Sequence, residues 1–180
     1  MTEDKTDSRL QISDSRCVMF SINRPHTDNI KSGLKKSELR LRAPTVYGNY
    51  CAYIYETKRN GGCGKVIGKF IARNITGYKN LDIGVPMDLL RRACISKDEL
   101  LQYTAGGEKE VTEIRIYNLS IYAKPKELSE FYRYGSLSYD DWLYGIYNGK
   151  GGSRSSYESY KNVFKLIYPP QSWCYVEELK

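Results

Sequence analysis

Short segments with the residue pattern of β-strands, separated by turns and short helical segments, constrain the fold of this chain more than any other feature. The clearest one covers residues 36–42, where Ser37, Leu39 and Leu41 alternate with four charged residues. This alternation directs the leucines to the core and the charges to the opposite face of a strand. Further strands are predicted at residues 17–22, 50–55, 66–72, 111–122 and 172–176.

Three short helices are predicted between these strands. The first covers about residues 26–32, where Asn23 suits the cap and Gly33 the stop position. The others lie at residues 86–93 and 96–103, and Ser96 with Glu99 forms a capping-box pattern. The order strand, helix, several strands, helices, strand differs from repeated βαβ units. It predicts an α+β fold, a mixed β-barrel flanked by short helices.

The length of 180 residues suits one compact domain with an extension. Residues 1–15 are polar and aperiodic and are interpreted as a flexible leader. Nine of the 17 tyrosines lie between residues 132 and 175, which distinguishes this part of the chain from the rest. We therefore assign residues 16–124 to the barrel, 125–168 to a tyrosine-rich C-terminal extension and 169–180 to a closing strand. Within the extension, short helices are predicted at about 127–132 and 139–147, followed by a loop at 149–158.

The basic side chains are clustered. The chain has 28 Lys and Arg residues against 21 Asp and Glu residues, a formal net charge of +7. Residues 58–79 contain six cations and no acid. Clustered charge of one sign indicates a polyanionic partner, most often nucleic acid. A basic soluble protein without such a partner is the alternative.

Cysteine and histidine content argues against a metal site. The five cysteines are widely spaced and include no CxxC pair, which predicts free thiols in a reducing cytoplasm. The single histidine, His26, excludes a Cys2His2 zinc site, and we expect it on a helix surface. Gly64-Lys65 is followed by Val66 where a nucleotide-binding P-loop needs Ser or Thr. We therefore expect neither a metal nor a cofactor.

Membrane insertion and secretion are not expected from the sequence. No apolar run approaches the roughly 18 residues of a membrane span. The first five residues are too polar for a signal peptide. The sequence predicts a cytoplasmic protein.

The most informative segment for function covers residues 33–40. It places Lys35 in a turn beside a strand on which Glu38 and Arg40 share one face. A carboxylate can accept a hydrogen bond from the exocyclic amine of a base, and a guanidinium can bind phosphate or guanine. An ordinary solvated strand face, with Glu38 neutralising Arg40, is the alternative.

The pattern G-x-K-x-x-E-x-R of residues 33–40, after a short strand and helix, resembles the signature of the ASCH domain family in the PUA-like superfamily. Gly33, Lys35, Glu38 and Arg40 fill its four defining positions. Residues 46–55 and 64–68, the segment at 95–100 and the C-terminal P-P-Q-S-W-C-Y at 169–175 are similar to the phage and bacterial branch of that family.

The resemblance implies a PUA-like barrel with a cleft that binds RNA or a modified nucleobase. Lys35, Glu38 and Arg40 would line this cleft, and Tyr53 and Trp173 could stack a base, although strand aromatics usually pack in a core. Cations on the rim would follow a phosphate backbone. The rim cations are Arg42, Lys58, Arg59, Lys65, Lys69 and Arg73.

The resemblance also leaves other functions open. Some small family members hydrolyse N4-acetylcytidine with a lysine and a threonine, but Glu38 stands at the threonine position, which removes the hydroxyl nucleophile. A ribonuclease that uses Lys35 and Glu38 for acid–base catalysis is a further alternative. A phage or prophage accessory protein that binds a host protein through the tyrosine-rich extension is the third.

Overall fold

The computed structural model describes residues 10–133 and 165–178. The strands are β1 (Asp14–Ile22), β2 (Ser37–Arg40), β3 (Asn49–Glu56), β4 (Lys65–Tyr78), β5 (Val111–Lys126), β6 (Phe131–Arg133) and β7 (Trp173–Glu178). The helices are α1 (His26–Lys31), α2 (Met87–Ala93) and α3 (Lys97–Tyr103), and short 3-10 turns cover Arg59–Gly61 and Leu128–Glu130.

Within the described residues, seven strands form one mixed sheet in the order β2-β5-β4-β3-β1-β7-β6. The pair β1–β3 is parallel, and the other neighbouring strands are antiparallel. Arg40 at the β2 edge of the sheet reaches the backbone of Ser21 on β1, so the sheet is curled. This mixed sheet with short helices confirms the predicted α+β class.

The interior of the curled sheet holds the main apolar core. Alternate residues of β1 and β3, such as Phe20 and Tyr50, point into this interior cluster with Phe70 and Ile114. The intervening residues of β1 and β3 pack on the other face under Phe131 and β7. Both faces of β1 are therefore covered, as its continuous apolar run predicts.

A third apolar cluster lies between the sheet and the two later helices. Leu39 of β2 and Val111 of β5 pack there against Leu89, Leu90 and Leu100 of α2 and α3. Burial of such side chains contributes about 1.5–3 kcal/mol each. This cluster therefore fixes α2 and α3 beside β2.

The predicted helices are present with small differences at their ends. Ser96 and Glu99 form the predicted capping box at the start of α3. Asn23 does not cap α1 with its side chain, and Pro25 takes the cap position. The backbone carbonyl of Asn23 accepts the hydrogen bond from the Thr27 amide instead.

Strands β4 and β5 are longer than predicted. The apolar alternation of β4 ends at Ala72, but the strand continues to Tyr78 with largely exposed residues. Pairing with β5 runs along this whole extension, from Arg73–Arg115 to Tyr78–Val111. Backbone pairing therefore extends the strands beyond the stretch that burial alone requires.

The C-terminal part differs from the predicted elements. Strand β5 passes the expected boundary at 124 and ends at Lys126, and a 3-10 turn with strand β6 replaces the helix predicted at 127–132. The predicted closing strand is present as β7, which pairs with β1. The helix predicted at 139–147 and the loop at 149–158 lie outside the described residues. Strand β1 begins at Asp14, inside the stretch interpreted as a leader.

Two further predictions concern the cysteines and membrane-spanning helices. All five cysteines are free thiols. No helix among residues 10–133 and 165–178 is long and apolar enough to cross a membrane.

Candidate functional site

A small pocket lies where the end of β1, the start of α1, strand β2 and the α2–α3 region meet. Its volume is about 150 Å³. Its lining includes Ser21, Asn23, His26, Lys35, Glu38, Arg40, Ile95 and Tyr103. The three charged residues of the signature therefore meet in one cavity.

The carboxylate of Glu38 lies between two cations. Its Oε1 is 3.0 Å from Nη2 of Arg40, and its Oε2 is 3.6 Å from Nζ of Lys35. The side chain of Lys35 is 4% exposed, and those of Glu38 and Arg40 are each 10% exposed. Ionised groups are costly to bury unless they are paired, and here two positive charges share one negative charge. The pocket therefore keeps an excess of positive charge.

The two faces of β2 have the polarity that the alternation predicts. Leu39 joins the apolar cluster under α2 and α3, while Glu38 and Arg40 point the other way. The opposite face is not solvated, however, because the curled sheet makes it the wall of the pocket and all four β2 residues are buried. The solvated face of that alternative is therefore wrong, whereas the pairing of Glu38 with Arg40 that it included is present.

Arg40 connects three parts of the chain. Its Nη2 donates to the backbone carbonyl of Ser21 at 2.9 Å, and its Nη1 donates to Oγ of Ser172 at 3.1 Å. Its guanidinium carbon lies 5.2 Å from the centre of the Phe20 ring. A guanidinium has five N–H donors, and its buried Nε has no hydrogen-bond partner here. These contacts fix the group in the wall of the pocket.

The position of Lys35 follows from the sharp end of α1. Gly33 adopts a φ of +74°, a left-handed conformation that favours glycine. The chain then reverses, and the Lys35 amide donates to the carbonyl of Asn29 at 2.9 Å. Nζ of Lys35 donates to the carbonyl of Ala93 at 2.6 Å. The ammonium is thereby held between the end of α2 and Glu38.

His26 belongs to the pocket, which corrects its assignment to a helix surface. It is the first residue of α1, and α1 packs against the sheet because the buried Glu56 of β3 accepts hydrogen bonds from Thr27 and Lys31, each at 2.7 Å. Burial lowers the pKa of His26, and the nearby Lys35 ammonium lowers it further. Its Nδ1 is buried without a hydrogen-bond partner. The sequence carries no local signal for this position of His26, because the contacts that hold α1 against the sheet come from β3.

A larger groove adjoins the pocket and shares Arg40 and Tyr103 with it. The volume of the groove is about 630 Å³. Arg42 and Trp173 line it, and Nε1 of Trp173 donates to the Arg42 carbonyl at 2.6 Å. A cation and a partly exposed indole therefore lie next to the mouth of the pocket.

The other predicted rim cations are not gathered at this groove. Lys58 lines a separate groove beside Tyr55 and Tyr168, Arg59 lies in an exposed 3-10 turn, and Lys65 pairs with Glu127. Lys69 and Arg73 are exposed on the face of β4 that points away from the interior cluster, opposite the β3 residues Tyr53 and Asn49. Of the six rim residues, the groove contains Arg42 alone.

Tyr53 cannot stack a ligand in this structure, which corrects that part of the prediction. It is 5% exposed, and its ring meets Phe131 edge to face at 4.9 Å. Its hydroxyl donates to Glu178 at 2.8 Å. The parity of β3 places Tyr53 on the face opposite the pocket. Of the two predicted stacking residues, only Trp173 lies near the site.

The pocket offers hydrogen-bonding chemistry. Lys35 and Arg40 supply donors, Glu38 supplies an acceptor, and neutral His26 can donate or accept through Nε2. In the part of the chain that the structure describes, no group of three or more His, Cys, Asp or Glu side chains could hold a metal ion. The arrangement suits a polar ligand that presents both donors and acceptors.

Comparison with known proteins gives matches among solved structures alone. No family model matches the chain, and no curated protein matches it. The structure of ASCH from Zymomonas mobilis is similar over 90% of this chain and 88% of that chain, with a TM-score of 0.57 and 19% identity. Its Tyr→Phe variant covers 88% of each chain with a TM-score of 0.53 and 18% identity. Its Ser→Ala variant covers 90% of this chain and 89% of that chain, with a TM-score of 0.51 and 18% identity.

These alignments extend over nearly the whole length of both proteins, so they concern the complete domain and not a shared motif. At such low identity they establish the architecture and leave the ligand open. The resemblance of residues 33–40 to the family signature agrees with them. This chain therefore has the α+β fold of these ASCH structures.

Proposed function

We propose that this protein binds RNA or another nucleobase-containing ligand in the pocket of Lys35, Glu38 and Arg40. One observation carries the proposal: an ammonium, a carboxylate and a guanidinium, all nearly buried, converge on a single cavity. Keeping three charges out of water costs free energy that a merely structural contact would avoid. A polar ligand would add hydrogen bonds to groups already held in place.

The size and chemistry of the pocket favour a base as the group that enters it. A cavity of about 150 Å³ can take a six-membered ring such as benzene. The Glu38 carboxylate can accept from an exocyclic amine, while the Arg40 guanidinium can donate to a carbonyl oxygen or ring nitrogen of a base or to a phosphate oxygen. A base would meet both kinds of partner in this pocket.

The adjoining groove supports a ligand longer than one nucleotide. Arg42 can neutralise a backbone phosphate, a contact that carries no sequence preference. Trp173 can stack a neighbouring base, which contributes roughly 1–3 kcal/mol where it occurs. A single-stranded segment could thus place one base in the pocket and its neighbours along the groove.

The test is binding of a fluorescently labelled single-stranded RNA to the full chain, measured by anisotropy at several salt concentrations. We expect affinity to fall with salt, and Arg40→Ala to weaken binding by roughly tenfold or more. Circular dichroism checks that the variant is folded, and Arg40→Lys keeps the charge while removing the planar fork. Arg91→Ala, an exposed cation on α2, is the matched control and should bind as the wild type does.

Equal binding by the Arg40 and Arg91 variants would contradict the proposal. So would the absence of binding to any RNA, DNA or nucleotide tested.

The enzymatic alternatives and the host-protein alternative remain predictions. In the described residues, the Lys35 ammonium already bonds the Ala93 carbonyl and lies beside Glu38, which does not favour a free general base. Incubation with N4-acetylcytidine and with total RNA tests both reactions, and turnover that Lys35→Ala abolishes would support an enzyme. Deletion of residues 134–164 tests the host-protein alternative, because it leaves the described fold's own residues in place.

A further inference from the structure

Two free thiols lie side by side on the face of the sheet opposite the pocket. Val18 of β1 pairs with Ala52 of the parallel strand β3, next to a register irregularity, and Cys17 and Cys51 are the residues just before this pair. Both side chains pack against the cluster of Met19 and Tyr53 on that face. The two cysteines are therefore close in space, although α1 and β2 separate them along the chain.

The distance between the two strands suits a disulfide. Neighbouring strands lie about 4.7–4.9 Å apart. The Cα atoms of a disulfide are usually about 4.4–6.8 Å apart, a range that includes the spacing of neighbouring strands. The two thiols also interact directly with one another, which brings their sulfur atoms close together.

The pair has unequal reactivity. The hydrogen bond from Cys17 lowers the pKa of the Cys51 thiol against the opposing effect of burial, and the Lys69 ammonium lowers it further. The same hydrogen bond, together with burial, raises the pKa of Cys17. Both residues are partly exposed, whereas Cys174 in the same cluster is buried. The thiolate is the reactive form of cysteine, so the lowered pKa favours Cys51 as the nucleophile.

We propose that Cys17 and Cys51 form a redox-active thiol pair that reacts with small-molecule disulfides such as glutathione disulfide. The Cys51 thiolate attacks one sulfur of the disulfide, forms a mixed disulfide and releases one thiolate. The Cys17 thiol then loses its proton and attacks the Cys51 sulfur, forming the Cys17–Cys51 bond and releasing the second thiol. The protein loses two electrons, and the small disulfide gains them to give two thiols.

The cross-link would have a structural consequence. The closed loop runs from 17 to 51 and contains α1 and β2, and therefore Lys35, Glu38 and Arg40. Closing a loop of this length restricts the unfolded chain, which raises the melting temperature by roughly 10 °C where the native geometry is unstrained. Oxidation would thus cross-link β1 to β3, the strands before and after the segment that carries the pocket residues.

The experiment treats the native full chain with glutathione disulfide at pH 7.5 and maps the peptides by mass spectrometry without reduction. We expect a peptide that links Cys17 to Cys51 and disappears on treatment with dithiothreitol. Cys17→Ser should instead accumulate a mixed disulfide at Cys51, because the resolving thiol is missing. Cys63→Ser, which removes an exposed thiol on a distant turn, should leave the cross-link unchanged.

The result with the wild-type protein can contradict the proposal by itself, so the test does not require the variants to fold. A native chain in which Cys63 reacts but no Cys17–Cys51 peptide forms contradicts it. A cross-link that joins Cys51 to Cys174, or one that forms only in urea, contradicts it equally.

Discussion

The hydroxyl of Ser37 donates a hydrogen bond of 2.6 Å to Oε1 of Glu113, on the face of β2 that points away from the pocket. The Glu113 carboxylate is fully buried and also accepts from Arg92 at 2.8 Å and from Tyr78 at 2.9 Å. Nε of Arg115 also donates to Oε1 of Glu113, at 2.6 Å. Glu113 therefore joins β2, β4, β5 and α2 behind the strand that carries the pocket residues.

Glu113→Gln should destabilise the protein by roughly 2–4 kcal/mol, because it removes a buried carboxylate that pairs with two partly exposed guanidinium groups. Urea unfolding followed by circular dichroism measures the change. Glu110→Gln is the matched control, since Glu110 forms an exposed pair with Lys79 and its loss should cost less than about 1 kcal/mol. A similar loss in both variants would show that the buried network is not important.

Acid should remove stability through two buried carboxylates. Burial raises the pKa of Glu56 and of Glu113, but hydrogen bonds outweigh this effect and bring each pKa to about 2. Lys31 and Thr27 donate to Glu56. Arg92 and Ser37 donate to Glu113. Their ordinary pKa is 4.5, so each group stabilises the fold above pH 4.5 and loses that contribution as pH falls toward 2.

Each carboxylate should account for stability on the order of 3 kcal/mol over this window. Urea unfolding at pH 6 and pH 3 measures the loss in the wild type and in Glu56→Gln. The variant should be less stable at pH 6 and should lose less on acidification. An identical pH dependence of the two proteins would contradict this account.

The sequence was sufficient for the parts of the site that depend on local geometry. Alternation along residues 36–42 places Glu38 and Arg40 opposite Leu39, and the short connection after α1 brings Lys35 to them. The order of the elements was likewise sufficient for the fold class, because each strand carries its own apolar pattern.

Long-range packing determines the rest, and the sequence does not reveal it. Ser172 reaches Arg40 across 132 residues, and Glu113 is buried only because four partners converge on it. His26 lies in the pocket since Glu56, on a distant strand, holds α1 against the sheet. The alternation also assigned Glu38 and Arg40 to an outer face, because curling of the sheet cannot be inferred from one strand.

Stability should also change with pH near neutrality through His26. Burial and the Lys35 ammonium hold the pKa of His26 below its ordinary 6.5 in the folded protein. Between the folded and unfolded pKa values the unfolded chain binds more protons, so stability falls as pH decreases through this window.

His26→Gln should remove this component. We expect the wild type to lose more stability than the variant between pH 7.5 and pH 5.5, as measured by urea unfolding. The acidic groups named above titrate below this range, so they change little. Equal losses in the two proteins would place His26 in a solvated position instead.

The groove beside the pocket should control the electrostatic part of RNA binding. Arg42 is exposed there, close to Trp173, whereas Lys69 is exposed on the other face of the sheet. If Arg42 contacts one phosphate, Arg42→Ala should weaken binding uniformly across RNA sequences and reduce the slope of log K against log salt by roughly 0.7–1. Anisotropy titrations at four salt concentrations give this slope. Lys69→Ala carries the same change of charge and should leave the slope unaltered. Equal slopes for the two variants would contradict a phosphate contact by Arg42 in the groove.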